Sequence, residues 1–174
     1  MSSGVVRAAS VLLAAAAVLL LSACAAREST STVRHSPGSD MYGVRDDDSA
    51  MNAAIAHAQA TLDDFAAVLR APKAKQRDFS LKVKLTDGTN VEHVWLSEPV
   101  VTDTQVSGTI GNDVEQVSGY SVGQHVTFDR DQVSDWMYVD HGVLQGGFTI
   151  LVLRDQMSPS EREAFDKSLP FSIE

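Results

Sequence analysis

The stretch "FSLKVKLTDGTNVEHVWL", residues 79–96, decides the fold class. Its first half alternates apolar Leu81 and Val83 with basic Lys82 and Lys84. Because successive side chains of a strand point to opposite faces of a sheet, this alternation predicts a strand with one buried face. The polar residues TDGTN then predict a turn, and VEHVWL returns as a second strand. The stretch therefore predicts a β-hairpin.

Further strands follow the hairpin, and turn residues separate them. The candidates are TQVSGTI (104–110), GQHVTF (123–128), SDWMYV (134–139) and GGFTILVL (146–153). The segments between them are too short for crossover helices, so we expect an antiparallel sheet of five to six strands. In the DHG turn, Gly142 is expected to adopt a positive φ, and Gly146 and Gly147 favour a bulge or a close backbone approach.

One long helix is expected before the sheet and a short helix after it. In residues 46–70, apolar side chains recur at steps of three and four, a pattern typical of a helix packed on one face of a sheet: Met51, Ile55, Ala58, Leu62, Phe65 and Leu69. Near the C-terminus, Ser158 and Glu161 predict a capping box, with Pro159 as the first helical residue. The predicted fold class is therefore α+β.

The N-terminus indicates secretion. Residues 1–23 contain a positive Arg7 and an apolar run too short for a comfortable membrane span, which is typical of a signal peptide. The run ends in "LSAC", residues 21–24, which resembles the lipobox of bacterial lipoproteins. That resemblance implies that Cys24 carries acyl chains after cleavage. The alternative is an ordinary cleaved signal peptide with Cys24 unmodified.

Composition narrows the class of partner. Cys24 is the only cysteine, so no internal disulfide is possible. Without the signal the chain has 13 basic and 23 acidic side chains, a net charge of −10 that opposes binding to nucleic acid. Residues 24–47 are polar and read as a flexible tether, and residues 48–174 as one domain. We therefore expect a domain outside the cytoplasm, lipid-anchored to a membrane of the bacterial cell envelope.

Several motifs in order resemble one family. They are MNAAIAHAQATLDDF, KVKLTDGTNVEHVWL, GTIGND, VGQHVTF and SDWMYVDHGVLQGGFTILVLR, within residues 51–154. The run resembles the bacterial domain of unknown function 2314 (DUF2314) family. The resemblance implies a compact module with no established activity. It also marks signature residues, which become the candidate binding residues: Glu92, His93, Trp95, Asn112, Asp135 and Trp136.

Alternation divides these candidates between two faces. Along VEHVWL, Glu92 lies on the face that the long helix covers, whereas His93 and Trp95 share the opposite, more open face. An exposed Trp beside a His suits a binding surface, although both side chains can equally pack under a loop. In SDWMYVDHGVLQGG, residues 134–147, Asp135 precedes the strand that leads to the DHG turn and can brace a turn with its carboxylate.

Two functions remain open. The favoured one is a non-catalytic binding module for an unknown protein or envelope component, with no catalytic or metal-binding residue and no cofactor. The alternative is a small hydrolase using His93 with Glu92 or Asp135. A triad of Ser134, His93 and Asp135 is disfavoured, because adjacent strand residues point to opposite faces. The sequence contains no phosphate loop, dinucleotide fingerprint, zinc motif or nucleophile elbow.

Overall fold

A computed structural model describes residues 48–174 of the chain. In that region a six-stranded antiparallel sheet is combined with four α-helices, so the expected α+β class is confirmed. The strands are β1 (Gln76–Thr86), β2 (Val91–Val101), β3 (Gln105–Ile110), β4 (His125–Asp129), β5 (Val133–Asp140) and β6 (Val143–Gly146). The helices are α1 (Ser49–Ala60), α2 (Leu62–Arg70), α3 (Phe148–Gln156) and α4 (Pro159–Ser168). The expected signal peptide, Cys24 and the tether lie outside the described residues.

The N-terminal helix is broken where one continuous helix was expected. Asp48 caps α1 by accepting hydrogen bonds from the backbone N–H groups of Ala50 and Met51, at 3.0 and 3.1 Å. At Thr61 the backbone leaves helical geometry, and the hydroxyl donates to the carbonyl oxygen of His57 at 2.7 Å. A threonine that bonds back to the preceding turn competes with the helical ladder. The apolar stripe nevertheless continues into α2.

Helices α1 and α2 cover one face of the sheet, here called the inner face. Ala58, Leu62 and Phe65 form one core with alternate residues of the sheet. The fully buried sheet members of this core include Leu81, Val83, Leu85, Val94 and Leu96. The opposite side of the sheet is called the outer face. Side chains in odd positions of the VEHVWL stretch lie on it, as the alternation predicted.

The strand order is β4-β3-β2-β1-β5-β6. Register places Lys84 opposite His93 and Lys82 opposite Trp95 across β1 and β2. Between β1 and β5 the register shifts, since Val83 pairs with Val133 while Lys82 pairs with Asp135. Ser134 is thus an additional residue on β5, which is a β-bulge.

The segment GGFTILVL is not a strand, so the expected sixth strand was wrong. The sixth strand is the shorter β6, and the chain turns into α3 directly after it. Gly146 and Gly147 adopt φ values of 72° and 65°, which turn the backbone out of the sheet. The backbone at each glycine lies close to other atoms. A Cβ on Gly146 would lie 2.3 Å from the carbonyl oxygen of Trp136, and a Cβ on Gly147 would lie 2.8 Å from the Leu144 side chain.

The predicted DHG turn and the predicted capping box are both confirmed. His141 and Gly142 join β5 to β6 with φ values of 52° and 87°, the two positive values that a tight two-residue hairpin turn requires. The hydroxyl of Ser158 accepts from the N–H of Glu161, and the Glu161 carboxylate accepts from the N–H of Ser158. The capping box therefore starts α4 at Pro159 as the sequence indicated.

Candidate functional site

Glu92 lies on the inner face, where its carboxylate is buried. It accepts backbone N–H groups from the loop after β3: Glu115 at 3.1 Å, Gln116 at 2.8 Å and Val117 at 3.3 Å. A buried carboxylate requires such donors, because an unpaired one is costly to remove from water. Glu92 therefore holds this loop against the sheet.

Asn112 holds the start of the same loop against β2. Its side-chain oxygen accepts the N–H of Trp95 at 2.8 Å, and the N–H of Gly111 donates to the Trp95 carbonyl at 2.8 Å. The loop thus continues the hydrogen bonding of β2 beyond the end of β3. Both contacts use the backbone of Trp95, so its ring stays available on the outer face.

Trp136 is part of the inner core and is only 8% exposed. Its indole N–H lies 3.1 Å from the carbonyl oxygen of Ala58 and 3.2 Å from the hydroxyl oxygen of Thr61. The ring stacks on Phe65 with the centroids 5.3 Å apart. Trp136 therefore attaches the α1–α2 junction to the sheet.

Asp135 lies within β5, not before it as expected, and its carboxylate caps α3. One oxygen accepts the N–H groups of Trp136 and Phe148, at 2.8 and 3.1 Å. The other accepts the N–H and the hydroxyl of Thr149, at 2.8 and 2.6 Å. Burial raises the pKa of the Asp135 carboxyl, while the bonds from Thr149 and the charge of Lys82 act in the opposite direction. The expected bracing role is thus seen at a helix rather than a turn.

His93 and Trp95 share the outer face with two lysines. The Lys82 ammonium lies 5.3 Å from the centre of the Trp95 ring, within cation–π distance, and 3.4 Å from the Thr149 hydroxyl. Trp95, His93 and Lys82 are half-buried, whereas Lys84 is exposed. We call Lys82, Lys84, His93 and Trp95 the Trp95 patch.

Ser134 was missed as a partner of His93, because the expectation assumed unbroken alternation. The Nδ1 atom of His93 lies 2.8 Å from the Ser134 hydroxyl oxygen. The bulge at Ser134 makes this possible while Asp135 stays opposite Lys82. The regular alternation expected for Ser134 and Asp135 does not hold at this bulge. Ser134 itself is buried, with 1% of its surface exposed.

The described region offers neither a metal cluster nor a membrane span. Within residues 48–174, no group of three or more His, Cys, Asp or Glu side chains is arranged to hold a metal ion. In the same part of the chain, no helix is long and apolar enough to cross a bilayer.

Comparison with known sequences identifies the family. The model of "Uncharacterized protein conserved in bacteria (DUF2314)" matches residues 48–172, nearly all of the described fold. The chain belongs to the DUF2314 family. The match extends beyond the resemblance at both ends and includes α4.

Two curated proteins are similar to this DUF2314 chain. "Uncharacterized protein YegJ" of Escherichia coli (strain K12) is 34% identical over 104 residues, which cover 60% of this chain and 67% of YegJ. A protein named "Putative ankyrin repeat protein" of Neisseria meningitidis serogroup B is 34% identical over 80 residues, which cover 46% of this chain. That alignment spans only 32% of the Neisseria protein. No solved structure matches the chain significantly.

Proposed function

We propose that this DUF2314 protein is a lipid-anchored protein of the bacterial cell envelope, and that its folded region is a non-catalytic binding module. The anchor is Cys24, whose acyl chains hold the protein at the membrane. The binding surface is the outer face of the sheet around Trp95 and His93. Its partner is a protein or another envelope component.

The binding proposal rests on the different positions of the six signature residues in the fold. Four of them are supports within the fold: Glu92, Asn112, Asp135 and Trp136. His93 and Trp95 remain, with side chains on the face that α1 and α2 leave uncovered. Trp, together with Tyr and Arg, is enriched among the side chains that supply most of the energy of a binding interface.

The hydrolase alternative finds less support. Glu92 points to the inner face and is engaged with the loop at Glu115, Gln116 and Val117, whereas His93 is on the outer face. Both oxygens of Asp135 serve the first turn of α3. A general acid or base needs to reach the substrate proton, and these carboxylates are committed to backbone donors.

The anchor is tested by metabolic labelling with a clickable fatty acid. The wild-type protein should take up the label, and Cys24→Ser should lose it and leave the membrane fraction. Lipidation is proposed because residues 21–24 resemble a lipobox and Cys24 is the only cysteine in the sequence. Equal labelling of the two proteins would refute the anchor and leave the binding module to be judged separately.

The binding surface is tested by pull-down from membranes with the intact protein. Trp95→Ala should lose the captured component. The matched control is Thr127→Ala, an exposed change on edge strand β4, which should retain it. Identical capture by all three proteins would show that the outer face around Trp95 is not the binding surface.

A further inference from the structure

The Trp95 patch differs in charge from the chain that carries it. The whole protein has a net charge of −9, so it repels anions in general. On the outer face, however, Lys82 pairs with Trp95 and Lys84 with His93 in two neighbouring rows. The acid in this register is Asp135, which is buried beneath the face and serves α3. The charge of Lys82 faces the Asp135 carboxylate, whereas Lys84 is exposed. An anionic group of a ligand is therefore favoured beside Lys84.

Hydroxyl groups border the patch on one side. The next row across the sheet places Ser80, Ser97 and Thr109 opposite one another in β1, β2 and β3. Ser97 is exposed, and Ser80 and Thr109 are half-exposed. A protein hot spot is centred on a desolvated apolar cluster. A row of hydroxyls beside one aromatic ring instead suits a ligand that carries many hydroxyls of its own.

Trp95 lies beside the hydroxyl row, with Lys82 in its own row and Lys84 in the row on the other side. Along β2 it lies between His93 and Ser97, two residues away from each on the same face. The C–H face of a pyranose ring packs against such an aromatic ring. A sugar packed there would bring its hydroxyls near Ser97 and Thr109, where the Ser97 hydroxyl donates to the Thr109 carbonyl oxygen at 3.3 Å. A carboxylate on the sugar would then reach toward the exposed ammonium of Lys84.

We propose that the ligand of the Trp95 patch is an acidic glycan, a saccharide whose sugar rings carry carboxylates. This inference rests on the proposed binding function of the outer face and specifies the partner. Trp95 stacks on the sugar ring, Lys84 pairs with the carboxylate, and the hydroxyl row supplies directional hydrogen bonds. Lys82 stays over one face of the Trp95 ring, and the sugar packs on the other face.

The experiment uses the full-length protein in detergent micelles with ¹⁵N-labelled tryptophan. Two indole N–H signals are expected, from Trp95 and Trp136, and Trp95→Phe assigns them. The probe is trigalacturonic acid, and its fully methyl-esterified form is the matched neutral ligand. Tetraglutamate is the acidic peptide control.

Trigalacturonic acid should shift the Trp95 signal in a saturable way and leave the Trp136 signal in place. The methyl ester should bind about tenfold more weakly, and Lys84→Gln should weaken binding of the acid about fivefold. Lys167→Gln on α4 is the charge-matched control and should leave the affinity unchanged. A Trp95 signal that no saccharide moves would overturn the inference.

The other outcomes are equally decisive. Equal binding of acid and ester would overturn the role of charge, and equal binding of tetraglutamate would overturn the choice of a glycan. If Trp95→Ala abolishes membrane capture while trigalacturonic acid leaves Trp95 unmoved, the binding surface stands and the acidic glycan fails. If Trp95→Ala also captures the membrane component as well as wild type does, both the binding surface and the acidic glycan fail.

Discussion

The carboxylate of Asp135 holds Thr149 by two hydrogen bonds, 2.8 Å from its backbone nitrogen and 2.6 Å from its hydroxyl oxygen. The two residues are 14 positions apart, and the contact joins the beginning of β5 to the first turn of α3. Without an acceptor at this point, the N–H groups that begin α3 would be buried and unpaired. The chain between the two residues includes the hairpin turn and both glycines that direct α3 away from the sheet.

Asp135→Ala should destabilise the fold by about 2–4 kcal/mol, because it leaves several buried donors without an acceptor. Urea-induced unfolding followed by circular dichroism measures the change. Asp129→Ala is the matched control, since this exposed carboxylate makes no capping bond to the short helical turn that follows it. Equal midpoints for the two variants would contradict the capping role of Asp135.

Gly146→Ala should be far more harmful than Gly142→Ala, although both glycines have a positive φ. A Cβ at 146 would lie 2.3 Å from the Trp136 carbonyl oxygen and 2.5 Å from its ring, whereas a Cβ at 142 meets open space. We expect a loss of about 1–2 kcal/mol for backbone strain at Gly142 and at least about 3 kcal/mol at Gly146. Thermal unfolding compares the two variants, and similar melting temperatures would show that the close approach is easily relieved.

The sheet was predictable because its signals are local. Alternation in β1 and β2, the DHG turn and the Ser158 capping box each lie within a few consecutive residues. The opposite was true of α3. Its sequence, FTILVL, is rich in β-branched residues, so it reads as a strand, but its cap is Asp135 and its direction is set by Gly146 and Gly147. Tertiary contacts overrode the local preference.

The candidate site was partly predictable for the same reason. Alternation correctly separated Glu92 from His93 and Trp95, since one strand contains all three. The contact between His93 and Ser134 was not predictable, because it depends on a bulge in β5. A bulge has no distinctive residue in this stretch, so nothing in the sequence marked the break in alternation.

The contribution of Asp87 to stability should depend on pH. Its carboxylate accepts the N–H groups of Asn90 and Thr89 in the β1–β2 turn, and these bonds hold the Asp87 pKa well below its usual value of 3.8. A depressed pKa in the folded state means that the stabilisation is present above about pH 4 and is lost as the pH falls further. The stability gap between wild type and Asp87→Ala should therefore be largest at neutral pH and narrow under acid conditions.

Urea unfolding at pH 7, 5 and 3 measures that gap. Asp103→Ala is a suitable control, because this exposed side chain in the β2–β3 turn makes no hydrogen bond within the described residues. Its gap to wild type should stay small throughout. If the stability difference between wild type and Asp87→Ala instead grew as the pH fell, the hydrogen bonds of the turn could not be the cause of the lowered Asp87 pKa.

Truncation of the two tryptophans should affect stability and binding to different extents. Trp136 is buried, stacks on Phe65 and bonds to Ala58, so Trp136→Ala removes a core side chain and should cost about 3–5 kcal/mol. Trp95 is only half-buried on the outer face, and its hydrogen bonds use backbone atoms that alanine retains. Trp95→Ala should cost about 1 kcal/mol, or roughly 4 °C in melting temperature. Its larger effect should be on partner binding, weakened by about 2 kcal/mol or more.

Differential scanning calorimetry of both variants separates the roles, with Trp95→Phe as a control that keeps an aromatic ring. A fall in melting temperature for Trp95→Ala as large as that for Trp136→Ala would make Trp95 a core residue and remove it as a binding anchor.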